Sequence, residues 1–313
     1  MLKLIKNLIR KVPFIERWDD RRIQNKYMSM TYDEIEQIIN KYYLEIFGRK
    51  INWDDPKSYN EKLQVSKLYD AAPFKTHLSD KYKVRRWIKW KIGEEYLIPL
   101  IGVYDSFDEI KFKDLPDQFV IKCNHDSGSV IFCRDKNNFD IDSARKKINS
   151  AMRKNYAYPS FEMYYKNIPP KILIEKYMGD NINDYKFLCF DGEPYYCQVI
   201  FNRYSDEKIN FYDMNWELQN FKRPGFENYN SPVDCPDKFE DMKKICCSLC
   251  KNLDHVRVDL YLIEKKIYFG EMTFTAAGGF RRFDPDEWDF KLGVLWKFDN
   301  TIRQKVREKN LKP

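Results

Sequence analysis

Asp259 and Glu271 are the side chains whose placement most needs a chemical reason. They sit in VRVDLYLIEKKIYFGEMTFT, residues 256–275, where two alternating β-branched and aromatic runs flank a charged Glu-Lys-Lys. That pattern reads as two strands and a turn. A three-residue loop, Glu264 to Lys266, sets Asp259 opposite Glu271 and Arg257 opposite Thr273. It also gives Val256, Val258, Leu260, Leu262, Tyr268, Gly270, Met272 and Phe274 one apolar face. Like charges directly opposite destabilise a strand pair. Hard oxygen ligands opposed in this way suit Mg²⁺, which takes one or two carboxylates and completes its shell with water and substrate phosphate. The competing reading is a solvated face on which Arg257 pairs with Asp259 or Glu271. The small-residue loop that follows, TFTAAGGFRRF, carries two more arginines and favours the metal.

Two further stretches could serve a nucleotide. In FVIKCNHDSGSVIFC, Lys122 ends a strand, and Asn124, His125, Asp126, Ser127, Gly128 and Ser129 form a loop. Small residues expose backbone N–H groups that can cradle phosphate, with a lysine nearby as a point charge. The stretch matches neither GxxxxGK[ST] nor GxGxxG, so a plain hairpin turn competes. In ILIEKYMGDNINDYKF a strand ends in Glu175, Lys176, Tyr177 and Met178 follow, and a polar loop leads to Asp184 and Lys186. This could be a hinge whose backbone pairs with adenine, with an acid beyond it for ribose hydroxyls, or merely a strand and a loop. ICCSLCK offers three cysteines, but no second CxxC or His pair completes a four-ligand zinc site. Small hydrophobes on a helix face are the better reading.

The elements that must position these groups follow from periodicity. TYDEIEQIINKYYLEIFG reads as a helix with a capping box, Thr31 to Glu34, and a stop at Gly48. KSYNEKLQVSKLYD and SDKYKVRRWIKWKIG are further helices, the second capped by Ser79 or Asp80. From about residue 96 the period becomes that of strands: EYLIPLIGVYDSF, FVIKC with VIFC, then KILIEKYM. IDSARKKINSAMRKNYAY is a helix between them. YKFLCFDGEPYYCQVIFNRY is a hairpin turning at Asp191-Gly192, FYDMNWEL a short strand pair, and PDKFEDMKKICCSLCKNL an amphipathic helix. The hairpins exclude a doubly wound parallel sheet. The expected organisation is α+β: a helical region over 1–95, a small α/β unit over 96–178 and a larger antiparallel unit over 179–313.

Of the net charge of +7, residues 1–30 supply +5, with eight Lys/Arg against three Asp/Glu. The rest interleaves acids and bases, which argues against nucleic acid as a partner. Lys3, Lys6 and Arg10 interrupt the only apolar segment near the start, Pro13 ends it, and no run nears the roughly 18 apolar residues that span a bilayer. A cytoplasmic protein with free thiols is expected. In MLKLIKNLIRKV, Leu2, Ile5, Ile9 and Val12 share a helical face. Two readings stay open: peripheral contact of residues 1–25 with the inner, anionic face of the membrane, or a terminal helix packed on the domain, which is favoured.

The order of these pieces resembles the ATP-grasp superfamily: Asp80-Lys81, Lys122 with its loop, the Glu175 hinge, Arg257-x-Asp259 and Glu271-x-Thr273. More narrowly it resembles the TupA-like branch tied to teichuronopeptide and cell-surface polysaccharide biosynthesis. The closer likeness rests on KSYNEKLQ, SDKYKVR, IGEEYLIPLIGVYDSFDEI, FVIKCNHDSGS, NDYKFLCFDGEP, VRVDLY and IYFGEMTFT, and covers roughly residues 50–295. The resemblance implies two α+β subdomains clamping ATP and Mg²⁺. Lys81 and Lys122 would contact the phosphates, with Asn124 to Ser129 closing over them. Glu175 to Met178 would hold adenine and Asp184 the ribose. Asp259 and Glu271 would ligate Mg²⁺, and Arg257 would meet the transferring phosphoryl group. Thr273 stands where the superfamily usually has Asn, a weaker third ligand. Lys186 and Arg203 are further site bases, and Arg281 and Arg282 candidate anchors for an anionic acceptor. The implied reaction is ADP-forming ligation of a carboxylate on a glycan or nucleotide sugar to an amine. Alternatives are a kinase acting on a sugar or small molecule, or a non-catalytic nucleotide-binding component of a glycosyltransferase assembly.

Overall fold

The computed structural model describes residues 21–180, 182–202, 206–229, 233–309 and 313. The helix expected over residues 1–12 lies outside them. Helices α1 (Arg21–Met28), α2 (Tyr32–Phe47), α3 (Tyr59–Tyr69), α4 (Pro73–Ser79) and α5 (Lys83–Lys91) come first. α2 begins at the expected capping box: the Thr31 hydroxyl accepts the Glu34 N–H at 3.3 Å, and the Glu34 carboxylate accepts the Thr31 N–H at 2.8 Å. Ser58 and Glu61 repeat the device on α3. That helix is buried almost all round, so its polar residues Asn60, Gln64 and Lys67 must find partners inside the protein.

The first sheet contains β1 (Leu100–Tyr104), β2 (Phe119–Cys123), β3 (Ile131–Cys133) and β4 (Ile172–Lys176) in the order β1-β4-β2-β3, all antiparallel. Helices α6 (Ile141–Met152) and α7 (Ala157–Ser160) lie between β3 and β4 in sequence, and Ala144 and Ile148 of α6 pack on Phe119, Ile121 and Ile174. The second sheet runs β7-β6-β5-β8-β9, also antiparallel, from β5 (Asp184–Phe190), β6 (Glu193–Phe201), β7 (Lys208–Asp213), β8 (His255–Ile263) and β9 (Lys266–Thr273). Helices α8 (Phe239–Cys250), α9 (Glu287–Leu295) and α10 (Ile302–Glu308) complete the chain.

The period-2 alternation of the second sheet divides its roles. Tyr185, Phe187 and Cys189 of β5 join Val256 and Val258 against Phe239, Met242, Cys246 and Leu249 of α8. The cysteines of ICCSLCK are therefore packing residues: Cys246 and Cys250 are buried, and every described cysteine is a free thiol. On the other face Leu188, Phe190, Ile200, Ile209 and Phe211 meet Tyr59 and Leu63 of α3 and Trp288 and Leu292 of α9. The polar residues of β5, β6, β8 and β9 open onto this second face. Leu97, in the segment leading into β1, bridges Phe269 of β9.

The β8–β9 hairpin pairs Asp259 with Glu271 and Arg257 with Thr273, as the alternation predicts. Its turn differs from expectation. The loop is two residues, Glu264 and Lys265, both in left-handed backbone (φ 49° and 61°), and the register slips by one between Asp259 and Leu260. Gly270 is the extra residue of this bulge, where a Cβ would lie 3.0 Å from the Asp259 carbonyl oxygen and 3.1 Å from the Tyr261 ring. The apolar face of β9 near the turn is therefore Ile267 and Phe269, both buried, while Tyr268 pairs with Tyr261 on the opposite face.

Candidate active site

One row of the second sheet carries the candidate chemistry. Gln198 on β6 pairs with Lys186 on β5, Lys186 with Asp259 on β8, and Asp259 with Glu271 on β9. In the next row Leu188, Arg257 and Thr273 are in register. Side chains at these positions share a face because each strand alternates in step with its neighbour. Asp259 is 1% exposed, and its carboxylate accepts Nε and Nη2 of Arg257 at 2.6 and 2.8 Å and the Lys186 ammonium. Arg257 Nη2 also reaches Thr273 Oγ1 at 3.0 Å and Glu271 Oε1 at 3.4 Å, and the Thr273 hydroxyl donates to Glu271 Oε1 at 3.1 Å.

Two cations thus interleave with two carboxylates, and this offsets the repulsion the sequence poses. Burial pushes the Asp259 carboxyl up, but Arg257 and Lys186 outweigh it and hold the group below the usual carboxylate range. Burial likewise opposes the Arg257 charge, and Asp259 and Glu271 restore and exceed it. The face is not a solvated one: Arg257 is buried with Asp259, and only the Glu271 side chain, 40% exposed, opens outward.

Mg²⁺ is tested here by its donor set. The described residues contain no group of three or more His, Cys, Asp or Glu able to hold a metal. What they do contain is a directly opposed Asp259 and Glu271 with the Thr273 hydroxyl alongside, hard oxygens in the number Mg²⁺ takes from protein when phosphate and water fill its other positions. The residues fit the ion, with Glu271 the accessible ligand and Asp259 shared with Arg257 and Lys186.

The phosphate-loop candidates lie at the end of β2. Lys122 pairs with Glu175 at 2.6 Å, and Arg85 Nη1 meets the other oxygen of Glu175 at 3.1 Å. Lys81 donates to the Asp126 carbonyl. Asn124 is occupied at the base of the loop: its amide donates to Asp80 and to the Pro169 carbonyl at 2.9 and 3.0 Å, and its oxygen accepts the Lys171 N–H at 2.7 Å. Ser129 is similarly held, donating to Asp126 at 2.6 Å and accepting the Cys123 N–H at 2.9 Å. These two shape the loop, leaving Ser127 and Gly128 (φ 102°) as its exposed tip. His125 is buried, and that burial lowers its pKa, which suits a neutral ring in the loop's base.

Of the hinge residues, Glu175 is buried, Lys176 is exposed with its N–H on the Pro99 carbonyl at 2.9 Å, and Tyr177 and Met178 are half-buried. Asp184 is buried on the candidate face, 3.8 Å from Lys186. Arg203 lies outside the described residues.

The sequence gives no local signal for four further groups. Tyr156 and Tyr165 meet edge to face at 5.0 Å, and burial first, then the Glu162 carboxylate, raises each phenol. Glu162 and Lys67 are also buried. Lys67 donates to the Gly278 carbonyl at 2.8 Å and lies 4.5 Å from the Phe280 ring centroid. Gln64 Nε2 donates to the Gly278 and Gly279 carbonyls, so α3 fixes the TAAGGF loop, whose Ala277, Gly278 and Gly279 are all left-handed.

A family model described as TupA-like ATPgrasp matches residues 61–297, more than half of the chain. The chain belongs to the TupA-like ATP-grasp family. This TupA-like protein has no sequence match among functionally characterised proteins. Similar solved structures include D-alanine–D-alanine ligase from Bacillus anthracis complexed with ATP (15% identity, 74% of this chain and 67% of that one, TM-score 0.40). Another is L-amino acid ligase from Bacillus licheniformis (11%, 90% and 62%, TM-score 0.42). A third is the biotin carboxylase domain of Hydrogenobacter thermophilus 2-oxoglutarate carboxylase (14%, 70% and 46%, TM-score 0.42). The TupA-like chain spans less than two thirds of the last two. Among the described residues no helix is long and apolar enough to cross a membrane.

Proposed function

We propose that the protein is an ADP-forming carboxylate–amine ligase acting on a uronic-acid-bearing glycan or its nucleotide-linked precursor. The observation that carries the proposal is the buried Lys186, Asp259 and Arg257 with the part-exposed Glu271, opposed across strands in a chain of the TupA-like ATP-grasp family. A substrate carboxylate oxygen attacks the γ-phosphorus of ATP, ADP leaves, and an amine then displaces phosphate from the acyl phosphate. Catalysis of this kind is positioning plus stabilisation of transferring charge. Mg²⁺, when bound by Asp259 and Glu271 with Thr273 beside them, neutralises charge on the phosphates. Arg257 is preorganised by its two bonds to Asp259, so it needs no rearrangement to face the transferring group. Lys186 balances Asp259 and so holds the metal-side carboxylate ionised. Lys81 and Lys122 attend the phosphates, the Glu175–Met178 segment the adenine, and Asp184 the ribose.

The test is incubation with ATP, Mg²⁺ and a panel of uronic acids and amines, with ADP and product mass measured. A product heavier by the amine less water supports ligation. A phosphorylated acceptor, or ADP with no new amide, overturns it. Contact of residues 1–25 with an anionic membrane belongs to the same proposal, and sedimentation with anionic liposomes, with and without that segment, tests it.

A further inference from the structure

Arg223 is a buried cation that the proposed chemistry does not use. Lys222 exchanges both backbone hydrogen bonds with Asp284 at 2.9 Å, which turns the alternate residues Phe221 and Arg223 inward. Phe221 stacks on Phe211 at 4.3 Å and on Trp288 at 4.1 Å, so this segment lies over the candidate face of the second sheet. Arg223 is only 7% exposed, its Nε has no hydrogen-bond partner, and among the described residues no carboxylate stands within ion-pair distance of it. Burial holds its guanidinium well below the ordinary value, and Arg281 and then Arg257 add to the effect. A buried charge is ordinarily paired, so a buried arginine whose Nε has no partner marks a place open to an anion from outside the protein.

A second orphan sits on the same face. Gln198 is fully buried, directly opposite Phe211 on one side and Lys186 on the other, and neither its amide nitrogen nor its oxygen has a partner. Buried side-chain amides are normally bonded, so this one too awaits a polar ligand. The place is distinct from the phosphoryl end of the site. Glu271 and Thr273 are on β9, whereas Leu188, which packs with Phe221, is two strands away on β5 with Arg257 between them. Two strand spacings are about 10 Å.

We propose that Arg223, with Arg281 and Gln198, binds a second, non-reacting anionic group of the substrate, so that the molecule activated at Arg257 and Asp259 is at least a dianion. The inference rests on the ligase reading for which group reacts, but not for the anion site itself. Carboxylate and phosphate share the chemistry a guanidinium recognises. Glucuronate 1-phosphate (a carboxylate and a phosphate) and glucarate (two carboxylates) therefore serve as the probes with two anionic groups, and glucuronate as the probe with one.

The experiment measures binding of these probes to the full chain by calorimetry, without nucleotide. Either dianion should bind about tenfold or more tightly than glucuronate, the gain expected of one charge-assisted contact, and whichever does so identifies the second group as phosphate or carboxylate. Arg223→Gln should abolish that preference while leaving glucuronate binding within about twofold. Arg223→Met, which removes an unpaired buried charge, should unfold at the same or a higher temperature than wild type and also lose the preference. Arg281→Gln should weaken dianion binding by a larger factor than glucuronate binding. Equal affinity for dianions and glucuronate in wild type, or retention of the preference in folded Arg223→Gln, overturns the proposal. MgADP binding is measured on the same samples: its absence in wild type refutes the ligase reading alone, and a dianion preference lost in Arg223→Gln would still establish the anion site.

Discussion

Asp259 and Glu271 face each other across the hairpin, yet the structure predicts that neutralising them has unequal structural and equal functional consequences. Asp259 is 1% exposed and accepts two bonds from Arg257 and one from Lys186. Asp259→Asn leaves two buried cations without their counter-charge, and breaking a buried pair by removing one partner costs about 3–5 kcal/mol. Glu271 is 40% exposed and touches Arg257 at 3.4 Å and Thr273 at 3.1 Å. Contacts of that kind contribute about 0–1 kcal/mol, so Glu271→Gln should unfold nearly as wild type does. Nucleotide changes the comparison. With a non-hydrolysable ATP analogue and Mg²⁺ at a hundred times the Kd, wild type gains about 2.7 kcal/mol of stability. If each carboxylate ligates the metal and its loss weakens binding tenfold, the gain falls to about 1.4 kcal/mol in both variants. Urea unfolding with and without the Mg²⁺ complex reads all four quantities. A Glu271→Gln protein that keeps the full nucleotide-dependent gain refutes the metal assignment. An Asp259→Asn protein that loses less than about 1 kcal/mol refutes the reading of the cluster as a tightly coupled buried network.

Three other outcomes follow from particular contacts. Gly293→Ala would place a Cβ 2.2 Å from the Lys57 carbonyl where α9 crosses the start of α3, and backbone cannot yield cheaply there; a loss of about 1–3 kcal/mol in chemical unfolding is expected, and a neutral result would show that α9 can slide. Gly270→Ala meets the Asp259 carbonyl oxygen at 3.0 Å inside the bulge, so it should weaken Mg²⁺-dependent nucleotide binding more than it lowers stability, as calorimetry beside thermal unfolding would reveal. Burial pulls Lys67 down to about 7 and pushes Glu162 up to about 7. Between the ordinary carboxylate range and pH 7 the folded chain keeps the Glu162 proton that the unfolded chain has released, so stability falls as pH rises. Above pH 7 the unfolded chain keeps the Lys67 proton that the folded chain has lost, so stability climbs until the ordinary lysine range. The pair thus contributes a minimum near pH 7, and a Lys67→Met, Glu162→Gln double variant should flatten it; an unchanged pH profile of unfolding free energy refutes this.

The pairing of Asp259 with Glu271 was legible in the sequence for a reason that is partly arithmetic. A three-residue loop and a two-residue turn followed by a one-residue bulge bring the same residues together beyond the bulge. Only the segment between turn and bulge distinguishes them, and there Ile267 and Phe269, not Tyr268, enter the core. Glycine at 270 is the local trace of that bulge, but a glycine in a strand has several meanings and Gly270 alone does not select one. The capping box at Ser58 and Glu61 on α3 emerges only in the structure, whereas that of α2 was legible because donor and acceptor lie three residues apart. Glu162, Lys67, Gln198 and Arg223 were not, because what makes each unusual is an environment assembled from distant segments. Lys67 is remarkable only once α3 is buried and the Gly278 carbonyl arrives from far along the chain. Arg223 reads as an ordinary loop cation until the Lys222 and Asp284 pairing turns it inward.

The second sheet is therefore graded along one row, and the gradient itself argues for how a substrate lies. At the outer edge Glu271 is an accessible carboxylate, its side chain 40% exposed. One strand inward Asp259 is buried and balanced by Arg257 and Lys186, and another strand inward Lys186 gives way to the unsatisfied Gln198. Beyond it Phe211 lies under Phe221, which stands two residues before the turned-in Arg223. Divalent metal and triphosphate belong where carboxylate is exposed, because hydrated ions can reach it without a desolvation cost that the protein must offset. A sugar ring with its own anion belongs further in, where aromatic surface, an amide and an unpaired guanidinium occur together. Reversing the arrangement would bury a highly charged triphosphate against Phe211 with the single Arg223 guanidinium to meet it, and would leave the sugar ring at the hydrated carboxylate edge, which desolvation of the triphosphate makes the less stable choice.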